Sequence, residues 1–499
     1  MGAMTFQIPA GLPPDAVREL ERTCLIGGPD NMPYQTDLHF SGGVLTLARG
    51  LDDSGCLVAP WDVPGFGRLM GASATLTERP TAYHLLVELA RGKVNQVRNQ
   101  AADWQTGGLH IAAALQAQVH AAGLTFGRAV CGGAASSERD ALAGEALVQG
   151  YQAAAGLVEA YLAQVFSIRH QRLNSGPLES ALATRLSAAA LDPAQGGLLT
   201  GAFNRVALPI SWHTVEAEET VYRWEETDRL LAWAEAADLD VTAGPLLDFS
   251  PSQLPAWLWL WERDVPTIAT FMCRFVEAAV RRYRARVRRW QLTAASNWAS
   301  VLSLSEDELM GLTFRVGEAA RQVDPSLELV IGVAQPWGEY MAAAERTYSP
   351  FIFADNLIRS GLNLAALDVE VVMGVNGRGS YCRDLLELSR LLDLYALLGV
   401  PLQVTLGYPA TAQSDPDADP ELAAGAGVWQ QGYTPDVQAA WAAAFGALGL
   451  CKPYVQCVQW CHFADHEPHV FPGCGLIDRQ GRARPALAAL RSLRQQHLA

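Results

Sequence analysis

The chain has 499 residues, 50% of them hydrophobic, with a net charge of −15 and a pI near 5.1. That length exceeds one core and predicts two or three domains. The acidic balance argues against a nucleic-acid or anionic-membrane partner, because no basic run builds enough positive potential to overcome it. The densest such run, Arg281 to Arg289 (RRYRARVRR), reads as a solvated helix end, since Phe271, Phe275 and Val280 before it keep helical spacing. The opening MGAMTFQIPAGLPPD has neither a basic n-region nor an apolar h-region. No segment reaches the roughly 18 apolar residues of a membrane span, so a cytoplasmic protein is expected. Nine scattered cysteines, an odd number, predict reduced thiols. Cys451, Cys457, Cys461 and Cys474 cluster with His462, His466 and His469, but no CxxC pair accompanies them, so neither a metal nor a cofactor is expected. Nothing in the sequence specifies an oligomeric state.

In chain order, residues 1–90 carry short alternating apolar segments broken by turn residues (LHFSGGVLTLARG, SGCLVAPWDVPGFGRLM, ASATLTERPTAYHLLVELA), the pattern of an antiparallel β-sandwich. Residues 91–200 turn to alanine-rich helical periodicity and predict two long helices, a hairpin, followed by a linker from Leu173 to Gly197. Residues 201–499 alternate β-branched runs with loops and helices: RVALPISW, LDVTAGPLL, RRWQLTAAS, LELVIGVAQPW, LAALDVEVVMG, PLQVTLGYP and YVQCVQWCHF. Such repeats imply a parallel sheet buried on both faces. An eighth strand around Val165 to Ile168 would close a (β/α)₈ barrel, giving a multidomain α/β protein with its functional face at the strand C-termini.

The barrel segments, read in order, resemble glycoside hydrolase family 10, the xylanase family. FNRVALPISWHTVEAEETVYRWEETD is similar to the family's second strand and following segment, with Trp212, Tyr222, Trp224 and Asp228 in matching places. GPLLDFSPSQLPAWL keeps Gly244, Leu247, Gln253, Pro255 and Trp257 of its third-strand stretch, and RRYRARVRRW and GCGLIDRQGRARPAL resemble the approach to its fourth strand and its closing segment. The resemblance implies a retaining glycosidase on a β-linked glycan, with an oligosaccharide or polysaccharide as partner, and it implies for the N-terminal sandwich a carbohydrate-binding module, with Trp61, Phe66 and Tyr83 as its available aromatics, against the alternative of a structural cap. This chain departs from that pattern. Ala295 stands where the family's acid/base glutamate is expected and Leu406 where its nucleophile is expected; the second-strand polar cluster reads Ala207-Leu208-Pro209-Ile210-Ser211-Trp212, and Pro245 replaces a histidine. Retaining hydrolysis needs two carboxyls about 5–5.5 Å apart across the bond.

Two readings follow. In one, relocated carboxylates act: Glu339, after the fifth strand in QPWGEY, and Glu370, ending the sixth in an apolar run that would raise its pKa as a general acid requires. Against it, Glu370 could pair with Arg378 or Arg383 and Glu339 could cap a short helix. In the other, the chain is a pseudo-hydrolase that binds glycan or acts as a scaffold. Substrate-binding candidates are Trp337 first and Trp460 second among strand-end tryptophans, with Trp212, His213, Asp248, His462 and Asp465.

Overall fold

The computed structural model describes residues 2–132, 136–174 and 176–499. At the N-terminus two sheets form. Gly2–Gln7, Asp37–Ser41, Val44–Arg49 and Tyr83–His84 make one, in which Met4, Phe6, Leu45 and Leu47 point to the core with the period of two that a half-buried strand demands. Cys24–Gly27, Met32–Pro33, Gly55–Val63 and Gly67–Leu76 make the other. The edge of this second sheet is covered by Val428–Trp429, a segment from the C-terminal half that pairs antiparallel with Gly67 and Arg68. The close approach depends on Gly67, whose φ is +99° and whose Cβ, if present, would lie 2.2 Å from the Val428 carbonyl oxygen.

Three helices follow, Leu85–Thr106, Ala113–Cys131 and Ser136–Arg172, where two were expected. The first lies directly on the strand Gly67–Leu76: a Cβ on Gly92 would fall 1.9 Å from the Ala72 carbonyl oxygen. It is fastened to the C-terminal half by Lys93, whose Nζ sits 2.5 Å from Asp384 Oδ2 in a buried ion pair.

The remainder is a closed barrel of eight parallel strands: β1 (Ala181–Arg185), β2 (Arg205–Leu208), β3 (Asp240–Ala243), β4 (Arg289–Ala294), β5 (Glu328–Val333), β6 (Ala366–Val372), β7 (Leu402–Gly407) and β8 (Val455–Trp460). Closure is by β8 on β1, Cys457 opposite Ala181 through Trp460 opposite Thr184. β3 breaks at Gly244–Pro245 and resumes as Leu247–Asp248 beside Thr293 and Ala294. The eighth strand is therefore not at Val165 to Ile168, which belongs to the helix Ser136–Arg172. It is the alanine-rich Ala181–Arg185, inside the stretch expected to be a linker, and the helix Pro193–Ala202 follows it. The lumen carries a buried polar chain: Gln291 Nε2 and Thr405 Oγ1 both donate to Asp368, at 3.0 and 2.8 Å. All nine cysteines are free thiols. Among the described residues no helix is long and apolar enough to cross a membrane.

Candidate ligand-binding site

Two places at the C-terminal end of the barrel gather the predicted residues. The first is the mouth itself. The loop after β6 carries Arg378, a side chain only 2% exposed, into the space between β6 and the resumed third strand. Its Nε and Nη2 donate to the two oxygens of Glu370 at 2.7 and 2.5 Å, and its Nη1 reaches Asp248 Oδ1 and Oδ2 at 2.8 and 2.7 Å and Ser250 Oγ at 2.9 Å. One guanidinium thus bridges both carboxylates, in the fork geometry that suits arginine. Burial pushes the Glu370 carboxyl above its ordinary value despite Arg378. Burial would raise Asp248 as well, but Arg378 and the Ser250 amide bring it below. Arg185 at the end of β1 adds positive field to both, and its buried Nε has no hydrogen-bond partner. Ala295, with φ +58°, and Leu406 are wholly buried, and their side chains offer no polar atom.

Glu339 does not join Glu370 there. It opens the one-turn helix Glu339–Ala342, and its carboxylate accepts from the Tyr381 amide at 3.0 Å and pairs with Arg383. The expected catalytic pair is therefore split between two environments, each carboxylate held by its own arginine.

The second place is a cleft of about 850 Å³ between the flank of the barrel beside β5 and β6 and the N-terminal sheet that contains Cys24–Gly27. Trp337, Glu339, Tyr381 and Arg383 line its barrel side, Arg22 and Met32 the opposite one; Glu370 is not among the lining residues. Trp337 is half-buried, with the Arg383 guanidinium 4.3 Å from its ring centroid. The volume falls in the range of small-molecule sites, and an indole face flanked by arginines and carboxylates can hold the apolar face and the hydroxyls of a sugar together.

The remaining candidates resolve as follows. Trp212 and Trp460 are each 1% exposed, donating from Nε1 to Glu216 Oε2 at 2.8 Å and to the Cys474 carbonyl at 2.7 Å. They pack the barrel and cannot stack on a ligand, contrary to expectation. His213 is half-buried against Ser211 Oγ at 2.7 Å, and burial lowers its pKa. His462 and Asp465 bond each other at 2.7 Å in a buried cluster after β8. Sequence reasoning missed Arg378's second partner, Asp248, and the exposed Trp259 and Trp261 on the short helix Ala256–Trp261, 39% and 38% exposed. Their signal was the alternation in AWLWLW.

Residues 183–332 match the family model of Glycosyl hydrolase family 10. The resemblance carried by the quoted motifs thus holds over β1 to β5. No curated protein matches the chain. Similar solved structures include xylanase 10B from Thermotoga petrophila in complex with xylobiose, 16% identical, covering 66% of this chain and 96% of that one with a TM-score of 0.47. GH10 from Paenibacillus barcinonensis is 20% identical, over 64% of this chain and 96% of that one, TM-score 0.47. Xylanase B from Clostridium stercorarium is 15% identical, over 66% and 98%, TM-score 0.46.

Proposed function

We propose that the protein binds a β-linked glycan without hydrolysing it, and that the ligand lies in the cleft at Trp337. The observation that carries this reading is the single guanidinium of Arg378 on both mouth carboxylates. Every oxygen of Glu370 and Asp248 already accepts an N–H donor. A general acid must offer its proton to the leaving oxygen and a nucleophile must reach the anomeric carbon with a lone pair; each oxygen keeps a second lone pair, but both groups are fixed on Arg378 and buried, 8% exposed for Glu370 and 7% for Asp248. Ala295 and Leu406, at the strand ends where the family resemblance puts its two glutamates, supply no substitute. The raised carboxyl of Glu370 is the one property of a general acid that it keeps.

The family match over residues 183–332 supports a carbohydrate as the ligand, and the cleft supports the location, since Trp337 gives a half-buried ring and Glu339 and Arg383 give polar groups beside it. Calorimetric titration with a panel of β-1,4-linked oligosaccharides tests the reading. Saturable binding by the native chain, weakened at least tenfold in Trp337→Ala and unchanged in Trp259→Ala, is the expected result. Binding lost in Trp259→Ala and kept in Trp337→Ala would move the site to the loop after the third strand, and no binding at all would overturn the proposal.

A further inference from the structure

The buried cluster after β8 turns two histidines and two aspartates toward one another. His469 Nδ1 lies 2.8 Å from the Glu467 carbonyl oxygen. A carbonyl only accepts, so that nitrogen carries the proton. His469 Nε2 then points at two carboxylates, 3.1 Å from Asp415 Oδ2 and 3.8 Å from Asp465 Oδ1. A neutral imidazole would aim a lone pair at two anions. His462 Nε2 converges on the same atom, 2.7 Å from Asp465 Oδ1, and its ring stacks on that of His469 with centroids 4.4 Å apart at 20°. A proton on His469 Nε2 would satisfy both carboxylates as an ion pair, and a metal cation held between these atoms would do so equally; a second proton on His462 would set two stacked imidazolium ions against each other. The four side chains are nearly sealed, with relative exposures of 8%, 1%, 2% and 4% for His462, Asp465, His469 and Asp415.

We propose that His462, His469 and Asp465 form a binding site for a divalent zinc-class ion, with the Asp415 carboxylate beside it. The Nε2 atoms of both histidines and one Asp465 oxygen lie within 4.8 Å of one another. Metal–ligand bonds of about 2.0–2.1 Å in a tetrahedron put donor atoms ~3.3 Å apart, and the 2.7 and 3.8 Å from Asp465 Oδ1 to the two Nε2 atoms bracket that spacing. A mixed nitrogen and oxygen set suits zinc over magnesium or calcium. The surroundings are those of ligands held in place. The Nδ1 proton of His469 is fixed by a backbone carbonyl, His462 Nδ1 faces Cys461 Sγ at 3.5 Å, and the Gly475 and Gly473 amides donate to Asp465 and Asp415 at 2.7 and 3.0 Å. Arg484 occupies the other oxygen of Asp465 at 2.5 Å, leaving Oδ1 to the ion.

The site joins two loops of the functional face, since Asp415 follows β7 and the other three follow β8. The same loops are already laced together: the His469 amide donates to Asp417 at 3.0 Å and the Asp419 amide to Val470 at 3.3 Å, while Ser252 Oγ, after the third strand, donates to Asp419 at 2.6 Å. With three protein ligands one position of a tetrahedron stays open, and Asp415 ties the site to the loop after β7 through its contact with His469.

The experiment is to strip the full-length chain with chelator, dialyse it against zinc chloride and measure retained zinc by mass spectrometry. The cobalt(II) form, prepared in parallel, is read by its visible spectrum. One zinc per chain, the intense absorption of tetrahedral cobalt, and at least tenfold weaker retention in His469→Ala and Asp415→Ala are expected. Zinc held equally by the native chain and His469→Ala would overturn the proposal. So would no retained zinc together with a proton on His469 Nε2 in ¹⁵N spectra of the native chain, a measurement that does not depend on any variant folding.

Discussion

The barrel mouth and the cleft beside it contain similar side chains and do opposite things with them. In the mouth, Glu370 and Asp248 close on a single buried arginine and the strand ends around them are apolar. In the cleft, Glu339 and Arg383 also pair, but beside an indole and facing about 850 Å³ of open volume. A carboxylate at a barrel mouth therefore says little by itself. Both Glu339 oxygens also accept N–H donors, so what separates the two places is whether a ligand can reach the pair.

The largest expected effect comes from breaking the mouth. Arg378→Met leaves two buried carboxylates without their partner, and removing one member of a buried pair typically costs about 3–5 kcal/mol. Denaturant unfolding of the variant should show a loss at least that large. A loss under about 1 kcal/mol would mean that the triad does not hold the mouth closed.

Asp368 sharpens the same point from inside the lumen. Burial raises its carboxyl to about 7, with Thr405 and Gln291 opposing that rise. Between about pH 4 and 7 the folded chain keeps a proton that the unfolded chain, with an ordinary aspartate pKa of about 3.9, has lost. Stability should therefore fall as pH rises through that window, and the loss should be complete above it. Asp368→Asn should remove the dependence, stabilising the fold by up to a few kcal/mol at pH 8 and by little at pH 4, as read by thermal unfolding at both. Equal effects at the two values would contradict the raised carboxyl.

The cleft needs its two walls held together, and the strap Val428–Trp429 against Gly67 is one of the devices that does so. Gly67→Ala places a side chain at φ +99° and 2.2 Å from a carbonyl oxygen. A cost of about 1–3 kcal/mol is expected, with faster proteolysis of the N-terminal sheets than of the barrel. Uniform proteolysis would show that the strap is dispensable. Smallest in stability is Trp337→Ala, expected to shift the melting temperature little while weakening glycan binding at least tenfold, or about 1.4 kcal/mol.

Much of the barrel was legible because seven strands are β-branched or aromatic runs closed by polar loops, such as LDVEVV and LQVTLG. β1 was not, since ALATR is short and built from small residues that favour helices. The pocket of apolar residues at Val165 to Ile168 that took its place belongs to a helix of 37 residues. At the site, the pairing of Glu370 with Arg378 is eight residues apart and open to sequence reasoning, whereas Asp248 lies 130 residues from Arg378 and only the closed barrel brings it there. Trp337 stood out through its flanking proline and glycine. Trp212 and Trp460 shared its strand-end position but face inward, a direction that strand boundaries read from sequence do not fix.

The central claim is that the mouth carboxylates no longer cut. Incubation of the native chain with β-linked oligosaccharides, followed by mass spectrometry of the products, tests it most directly. The account predicts intact oligosaccharides at every time point. Shortened products that disappear in Glu370→Gln, in a variant that remains folded, would contradict it.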